Sequence, residues 1–205
     1  MTMLTFDEKA KIWDSDERRN ARIMEIAKSI KRNVPFTKNM TAFEYGCGTG
    51  TVALFLSPHL KHITLADSST GMLEVLQEKI RTSDAKNMTP VYIDLMKDEA
   101  PKTQFDFVYT SLTLHHIIDT DRILKILNSL VADGGLFCVV DLDSEDGSFH
   151  GAGFDGHNGF DRDEFKVKLE KAGFSDISFK DCCVAEKETE GKLNKFSLFI
   201  MNCRK

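Results

Sequence analysis

The chain has 205 residues, 41% of them hydrophobic and 29% charged, a balance that suits one domain around a single core and excludes an array of modules. Lys and Arg number 27 against 32 Asp and Glu, leaving a net charge of −5. That balance disfavours nucleic acid as a partner, because such binding rests largely on basic side chains that release counterions. No stretch approaches the roughly 18 apolar residues that span a bilayer, and Met1–Glu8 lacks a basic region followed by an apolar one. The expectation is a soluble, cytoplasmic protein with no membrane contact. Cys47, Cys138, Cys182, Cys183 and Cys203 form an odd set without Cys-x-x-Cys spacing, as suits a reducing compartment. Cys182 and Cys183 fall in strand-like sequence, where neighbours point to opposite faces, and read as structural.

Between Ser15 and Lys31, Ile23, Ile26, Ala27 and Ile30 recur at helical spacing and predict an amphipathic helix with Ser15 or Asp16 as its N-cap. Ala42–Tyr45 reads as a short strand running into Gly46-Cys47-Gly48-Thr49-Gly50, and Val52–Leu56 opens a helix that Pro58 limits. The alternation continues with strand His62–Asp67, helix Gly71–Thr82, strands Pro90–Leu95 and Phe105–Thr110, helix Asp121–Val131 and strand Leu136–Asp141. Helix Asp161–Ala172 follows a loop rich in glycine and histidine. Two β-like runs, Asp176–Val184 and Lys195–Cys203, then flank a polar stretch, Glu186–Leu193, and predict a terminal antiparallel hairpin. Such alternation implies an α/β fold, a doubly wound and mainly parallel sheet between helical layers as an α/β/α sandwich. The reading is one domain over 1–205, with an N-terminal helical segment at 1–40, a core at 41–205 and an active-site loop at 142–160. Ligands of such sheets bind at the carboxyl ends of the strands.

The first strand ends in Glu44-x-Gly46-x-Gly48-x-Gly50, where glycines permit a tight turn and a close approach of ligand to backbone. A dinucleotide fingerprint starting at Gly46 and Gly48 would need its third small residue at Thr51, which does not fit. Asp67 lies 21 residues after Gly46 at the end of the second strand, where a carboxylate can accept from both hydroxyls of a ribose. A nucleoside ligand without a pyrophosphate is indicated.

With these motifs the chain resembles the class I S-adenosylmethionine-dependent methyltransferases, from about Phe43 to its end. The resemblance implies a Rossmann-like core and a single-domain enzyme that methylates a small molecule using S-adenosyl-L-methionine. Glu44, Gly46, Gly48 and Gly50 resemble that family's glycine-rich loop around the methionine part of the cofactor, with Cys47 a small residue tolerated in the turn. Asp67 falls at its ribose-binding acid, and Asp94-Leu95 looks like the pair that meets the adenine. Phe105–His116 resembles its fourth-strand segment, and Leu130–Phe137 its turn before the fifth strand. Ser68 and Ser111, after the second and fourth strands, are further candidates to line the cofactor. Carboxylates suit this ligand because it carries a sulfonium cation.

Four of the six histidines, His115, His116, His150 and His157, fall in loops expected on the ligand-binding face. If the acceptor loses a proton, His116, His150 or His157 could take it, since an ordinary imidazole titrates near pH 6.5. Asp141, Asp143, His150 and His157 could ligate a metal, but a hydrogen-bonded polar rim is the reading adopted, and no metal is expected. Trp13 reads either as a lid over the pocket or as packing at the core edge. The rival functions are a binding module that holds the cofactor without turnover, and a methyltransferase acting on protein or RNA; Thr51 argues against a nicotinamide-dependent oxidoreductase.

Overall fold

The computed structural model describes residues 5–189 and 192–205. Seven strands form one sheet: β1 (Thr41–Tyr45), β2 (His62–Asp67), β3 (Met88–Tyr92), β4 (Phe105–Ser111), β5 (Val131–Leu142), β6 (Ser175–Thr189) and β7 (Lys192–Arg204). Their order is β3-β2-β1-β4-β5-β7-β6. All neighbours are parallel from β3 to β5, and β7 runs antiparallel to both β5 and β6. The order reverses between β1 and β4, so their carboxyl ends open the crevice in which such sheets bind ligands.

Alternation along the strands sorts the side chains into two cores. Phe107, Tyr109, Cys138, Val140, Leu198 and Ile200 pack on one face, against α2 (Glu17–Asn33), α3 (Thr51–Leu56) and α4 (Thr70–Thr82). Val108, Phe137, Val139, Phe199 and Met201 pack on the other, against α5 (Thr120–Leu130) and α6 (Arg162–Lys171). The period-two pattern with apolar residues on both faces is what a sheet covered on both sides requires. Within α2, Ile26, Ala27 and Ile30 are buried at helical spacing, and Asp16 accepts from the Arg19 N–H as the N-cap.

Five expectations need correction, the first being the fifth strand, which begins at Val131 rather than Leu136, so the expected turn at Leu130–Phe137 lies mostly within it beside a register shift against β4. The first described elements are α1 (Phe6–Lys9) and a 3₁₀ turn, Ala10–Ser15, in the part of the expected 1–40 helical segment where no individual helix was placed. Thr5 and Glu8 form a reciprocal capping box there, a signal present in the sequence as Thr-x-x-Glu. The third strand is Met88–Tyr92, not Pro90–Leu95: it ends level with Asp67, and Asp94 caps the turn beyond, accepting from the Met96 N–H. The hairpin extends through most of the polar Glu186–Leu193 stretch, because Lys187 pairs with Asn194 and Glu188 with Leu193; residues 190 and 191 lie outside the described set. Cys182 and Cys183 do not face opposite sides. A register shift between Asp181 and Cys183 places both against the same apolar cluster, and all five cysteines are free thiols.

Candidate functional site

The carboxyl ends of β1, β2 and β4 enclose a cavity of about 550 Å³, within the range of small-molecule sites. Glu44 to Thr49, Asp67, Ser68, Asp94 and Ser111 to Thr113 contribute to its wall. Gly46 has a φ of +73°, and an added Cβ would meet the Thr113 hydroxyl at 2.2 Å. This glycine therefore seals the loop against the end of β4 rather than making room for a ligand. Gly48, at φ +52°, has nothing within 4 Å of an added Cβ and is the position that leaves open space. Its N–H donates to Asp67 Oδ2 at 2.7 Å, while Asp67 Oδ1 accepts from the Ser69 N–H at 2.9 Å. Asp67 thus pins the glycine loop to the start of α4 and keeps lone pairs free for further donors.

The acids sit in unlike surroundings. Glu44 is fully buried, accepts from the Tyr109 hydroxyl at 3.0 Å, and burial, with Asp67 nearby, pushes its carboxyl up to about 8. Burial also raises Asp67, against its backbone hydrogen bonds. Asp94 is half-buried and pairs with Lys97 at 2.8 Å; the Lys97 and Met96 contacts outweigh desolvation and hold its carboxyl below the usual range. Two candidates lie outside the cavity wall. Leu95 is fully buried in the core on the α5 side, beneath Asp94, and Gly50 caps α3 with its added Cβ 2.3 Å from Leu76. Cys47 lines the cavity, and burial among Glu44 and Asp67 raises its thiol well above the ordinary value, so it remains a protonated thiol.

The N-terminal segment covers this opening. Asp7 accepts from the Ser69 hydroxyl at 2.6 Å and from the Gly71 N–H at 2.8 Å. Asp14 accepts from Thr49 at 2.8 Å and pairs with Lys79 at 2.7 Å. Trp13 lines the cavity as a lid does, with Phe6 edge-on at 5.7 Å and the Arg19 guanidinium 4.2 Å from its ring. Beyond it lies a second cavity of about 840 Å³, bounded by α1, α2, the 142–160 loop and the distal part of β6. Phe6, Trp13, Arg19, Arg22 and His116 line both spaces.

The histidines separate into two groups. His116 and His150 line the second cavity, and both are held neutral: burial first, then neighbouring His115, lowers them to about 3 and about 4. His157 lines neither cavity. Its Nε2–H donates to the Ile117 carbonyl at 3.0 Å and lies 3.0 Å from the Thr120 hydroxyl, so the ring ties the 142–160 loop to the start of α5. The set Asp141, Asp143, His150 and His157 is not assembled, since Asp143 is occupied by Arg162 at 2.7 and 2.8 Å. Instead His115 joins His116 and His150, with ring centroids 4.2 and 5.0 Å away. Buried His115 faces Asp141, its Nδ1 2.6 Å from Oδ1.

A family model for a methyltransferase domain matches residues 17–178, which spans all of these walls except α1, the 3₁₀ turn and the distal hairpin. The chain belongs to the methyltransferase domain family. An uncharacterized methyltransferase of Schizosaccharomyces pombe is 33% identical over 119 residues, 55% of this chain and 42% of that protein. The chain spans about half the length of the curated relatives it matches. Among solved structures, an S-adenosylmethionine-dependent methyltransferase from Mesorhizobium loti superposes with a TM-score of 0.70 at 17% identity, covering 87% of this chain and 96% of that one. Phosphoethanolamine N-methyltransferase 2 of Haemonchus contortus, in complex with S-adenosyl-L-methionine, gives 0.70 at 14% identity over 99% of this chain and 60% of that one. These two likenesses bear on the fold.

Within this methyltransferase fold, several wall residues had no signal in the sequence. Leu112 takes a φ of +52° between Ser111 and Thr113, a conformation that bulky residues seldom adopt and that no propensity predicts. Arg19 and Arg22 look like the solvated face of an amphipathic helix. In the fold that face turns toward the cavities, and the Arg22 Nε is buried without a hydrogen-bond partner. Only the Thr5–Glu8 capping box could have revealed that a further turn of chain precedes α2.

Proposed function

We propose that the protein is an S-adenosylmethionine-dependent methyltransferase acting on a small-molecule acceptor. The observation that carries this reading is the convergence of the Gly46–Thr49 loop, Glu44, Asp67 and Asp94 on one cavity at the β1/β4 reversal. The donor set fits the cofactor. Asp67 has unused lone pairs for ribose hydroxyls, Gly48 leaves its Cβ space open, and Asp94 stands at the far wall for an exocyclic amine, with solvent-exposed Lys97 as a displaceable partner. Glu44, whose ionisation is suppressed by burial, supplies a counter-charge that a cationic ligand would restore. When bound, S-adenosylmethionine supplies a methyl group activated by its sulfonium centre.

The remaining work for the chain is to hold an acceptor in line with that methyl group at about 3–3.5 Å and to exclude water. The second cavity supports this reading because it shares Phe6, Trp13, Arg19, Arg22 and His116 with the first, so an occupant of one abuts an occupant of the other. Its shared boundary is aromatic and cationic, and Arg22 has no acidic ion-pair partner among the described residues, which favours a compact acceptor with an anionic or π-rich group. His116 and His150 stand on that boundary as neutral hydrogen-bonding groups for the acceptor, and their lowering to about 3 and about 4 argues against either as its general base.

Incubation with S-adenosylmethionine carrying a labelled methyl group and fractionated metabolite extracts tests the proposal. Label is expected in a small molecule, with S-adenosylhomocysteine formed in equal amount. Tight cofactor binding without transfer across diverse extracts would favour a binding module, and label in protein or RNA fractions would replace the acceptor class.

A further inference from the structure

We propose that His115, His116 and His150 form a site for a first-row divalent metal ion of the zinc type, at the boundary between the two cavities. One ring nitrogen from each residue lies within 4.8 Å of the others. Tetrahedral zinc with nitrogen ligands at about 2.0–2.1 Å draws such atoms to roughly 3.4 Å, a contraction within reach of side-chain rotation. Sequence spacing conceals the set: His115 and His116 close the 3₁₀ turn after β4, and His150 comes from the 142–160 loop that folds back over it.

A second observation is independent of the clustering. His115 is 1% exposed and donates Nδ1–H to Asp141 Oδ1 at 2.6 Å, because a carboxylate oxygen only accepts. Asp141 is itself fully buried and fixed by the His115 and Leu142 N–H groups at 3.3 and 2.8 Å. The other nitrogen of His115, Nε2, is buried without a hydrogen-bond partner, and so is Nε2 of His150. Histidine serving only as packing ordinarily bonds its polar atoms, as His157 does nearby. A buried carboxylate behind a histidine whose opposite nitrogen is free is the outer arrangement that orients metal-bound imidazoles.

Three imidazoles with no carboxylate among them suit zinc, cobalt, nickel or copper over magnesium or calcium, which require oxygen. Three protein ligands leave a fourth position open. His116 and His150 line the second cavity, so that position faces the proposed acceptor. An acceptor hydroxyl or thiol bound there would release its proton to solvent and be held as the anion. This role, unlike the metal site itself, rests on the methyl-transfer reading.

The test uses the tag-free 205-residue chain stripped with a chelator and dialysed. Zn²⁺ is titrated against a chromophoric chelator, Co²⁺ is added separately to record its visible absorption, and S-adenosylhomocysteine binding is followed in parallel by calorimetry. One equivalent of Zn²⁺ and a tetrahedral Co²⁺ spectrum are expected, with affinity about 10–100-fold weaker in Asp141→Asn and a larger loss in His150→Ala. His150 is partly exposed, so its variant carries the test if changes at buried His115 or Asp141 unfold the chain. No competed Zn²⁺, or unchanged affinity in folded His150→Ala, overturns the site. S-adenosylhomocysteine binding without Zn²⁺ binding rejects the metal alone, and the converse rejects the donor assignment while leaving the metal site standing.

Discussion

The cavity of about 550 Å³ takes its floor from the ends of β1, β2 and β4, whereas the neighbouring one of about 840 Å³ is enclosed by α1, α2, the 142–160 loop and the hairpin. In the first, much of the chemistry sits within short sequence windows, Glu44–Thr49 and Asp67–Ser68, because a parallel sheet delivers strand ends to one edge. In the second, Phe6, Arg22, His116, His150 and Lys187 meet from five separate segments. The contrast teaches that a ligand bound at strand ends leaves a local signature, while a ligand bound under a cover is specified only by tertiary packing.

Substitutions can break or sharpen that contrast. The largest effect is expected at Glu44. Its carboxyl titrates near 8 in the folded state against an ordinary 4.5, so the folded state holds the proton more tightly than the unfolded one. The associated stability is complete below about pH 4.5 and is lost as pH rises toward 8. Glu44→Gln removes that loss, and its advantage over the wild type should grow to on the order of 4 kcal/mol by pH 9. Urea denaturation of the ligand-free pair from pH 5 to 9 reads it directly; a gap that does not widen with pH contradicts the assignment. Gly46→Ala forces a Cβ onto Thr113 at positive φ and is expected to cost about 2–4 kcal/mol of stability, where Gly48→Ala costs about 1. Equal losses in denaturation would show that the two glycines share one role.

At Asp67 the expected change is in binding. Asp67→Ala should weaken S-adenosylhomocysteine affinity by about 1.5–3 kcal/mol, the scale of hydrogen bonds to a charged group. Unchanged calorimetric affinity removes Asp67 from the site. The smallest effect belongs to Lys97, 81% exposed in its pair with Asp94. Lys97→Ala should leave S-adenosylhomocysteine affinity nearly unchanged, because exposed ion pairs contribute little. A loss comparable to that of Asp67→Ala would make Lys97 a ligand-binding residue.

The strand and helix sequence of the core was legible because apolar periodicity and glycine punctuation are local. The pairing of Glu44 and the glycine loop with Asp67 was legible from spacing to the second strand end, whereas Asp94 was placed by the family resemblance. Strand ends were less so: Pro90 and Val91 read as a strand start, yet pairing with β2 fixes the strand two residues earlier. His150 and His157 were indistinguishable in the sequence, both in a glycine-containing loop. Only packing shows that one ring bonds the Ile117 carbonyl while the other stacks on Phe154 at 3.8 Å beside His115. Asp141 read as the acid at the end of the fifth strand, but its partner His115 is 26 residues away, a distance no local pattern encodes.

The central claim is that the strand-end cavity holds a nucleoside cofactor without a pyrophosphate. Isothermal titration of the full chain with S-adenosylhomocysteine and, separately, with a nicotinamide dinucleotide tests it most directly. The account predicts one S-adenosylhomocysteine per chain, with stability raised by about 2.7 kcal/mol at 100 times its Kd, and no response to the dinucleotide. Binding of the dinucleotide with none of S-adenosylhomocysteine would contradict it.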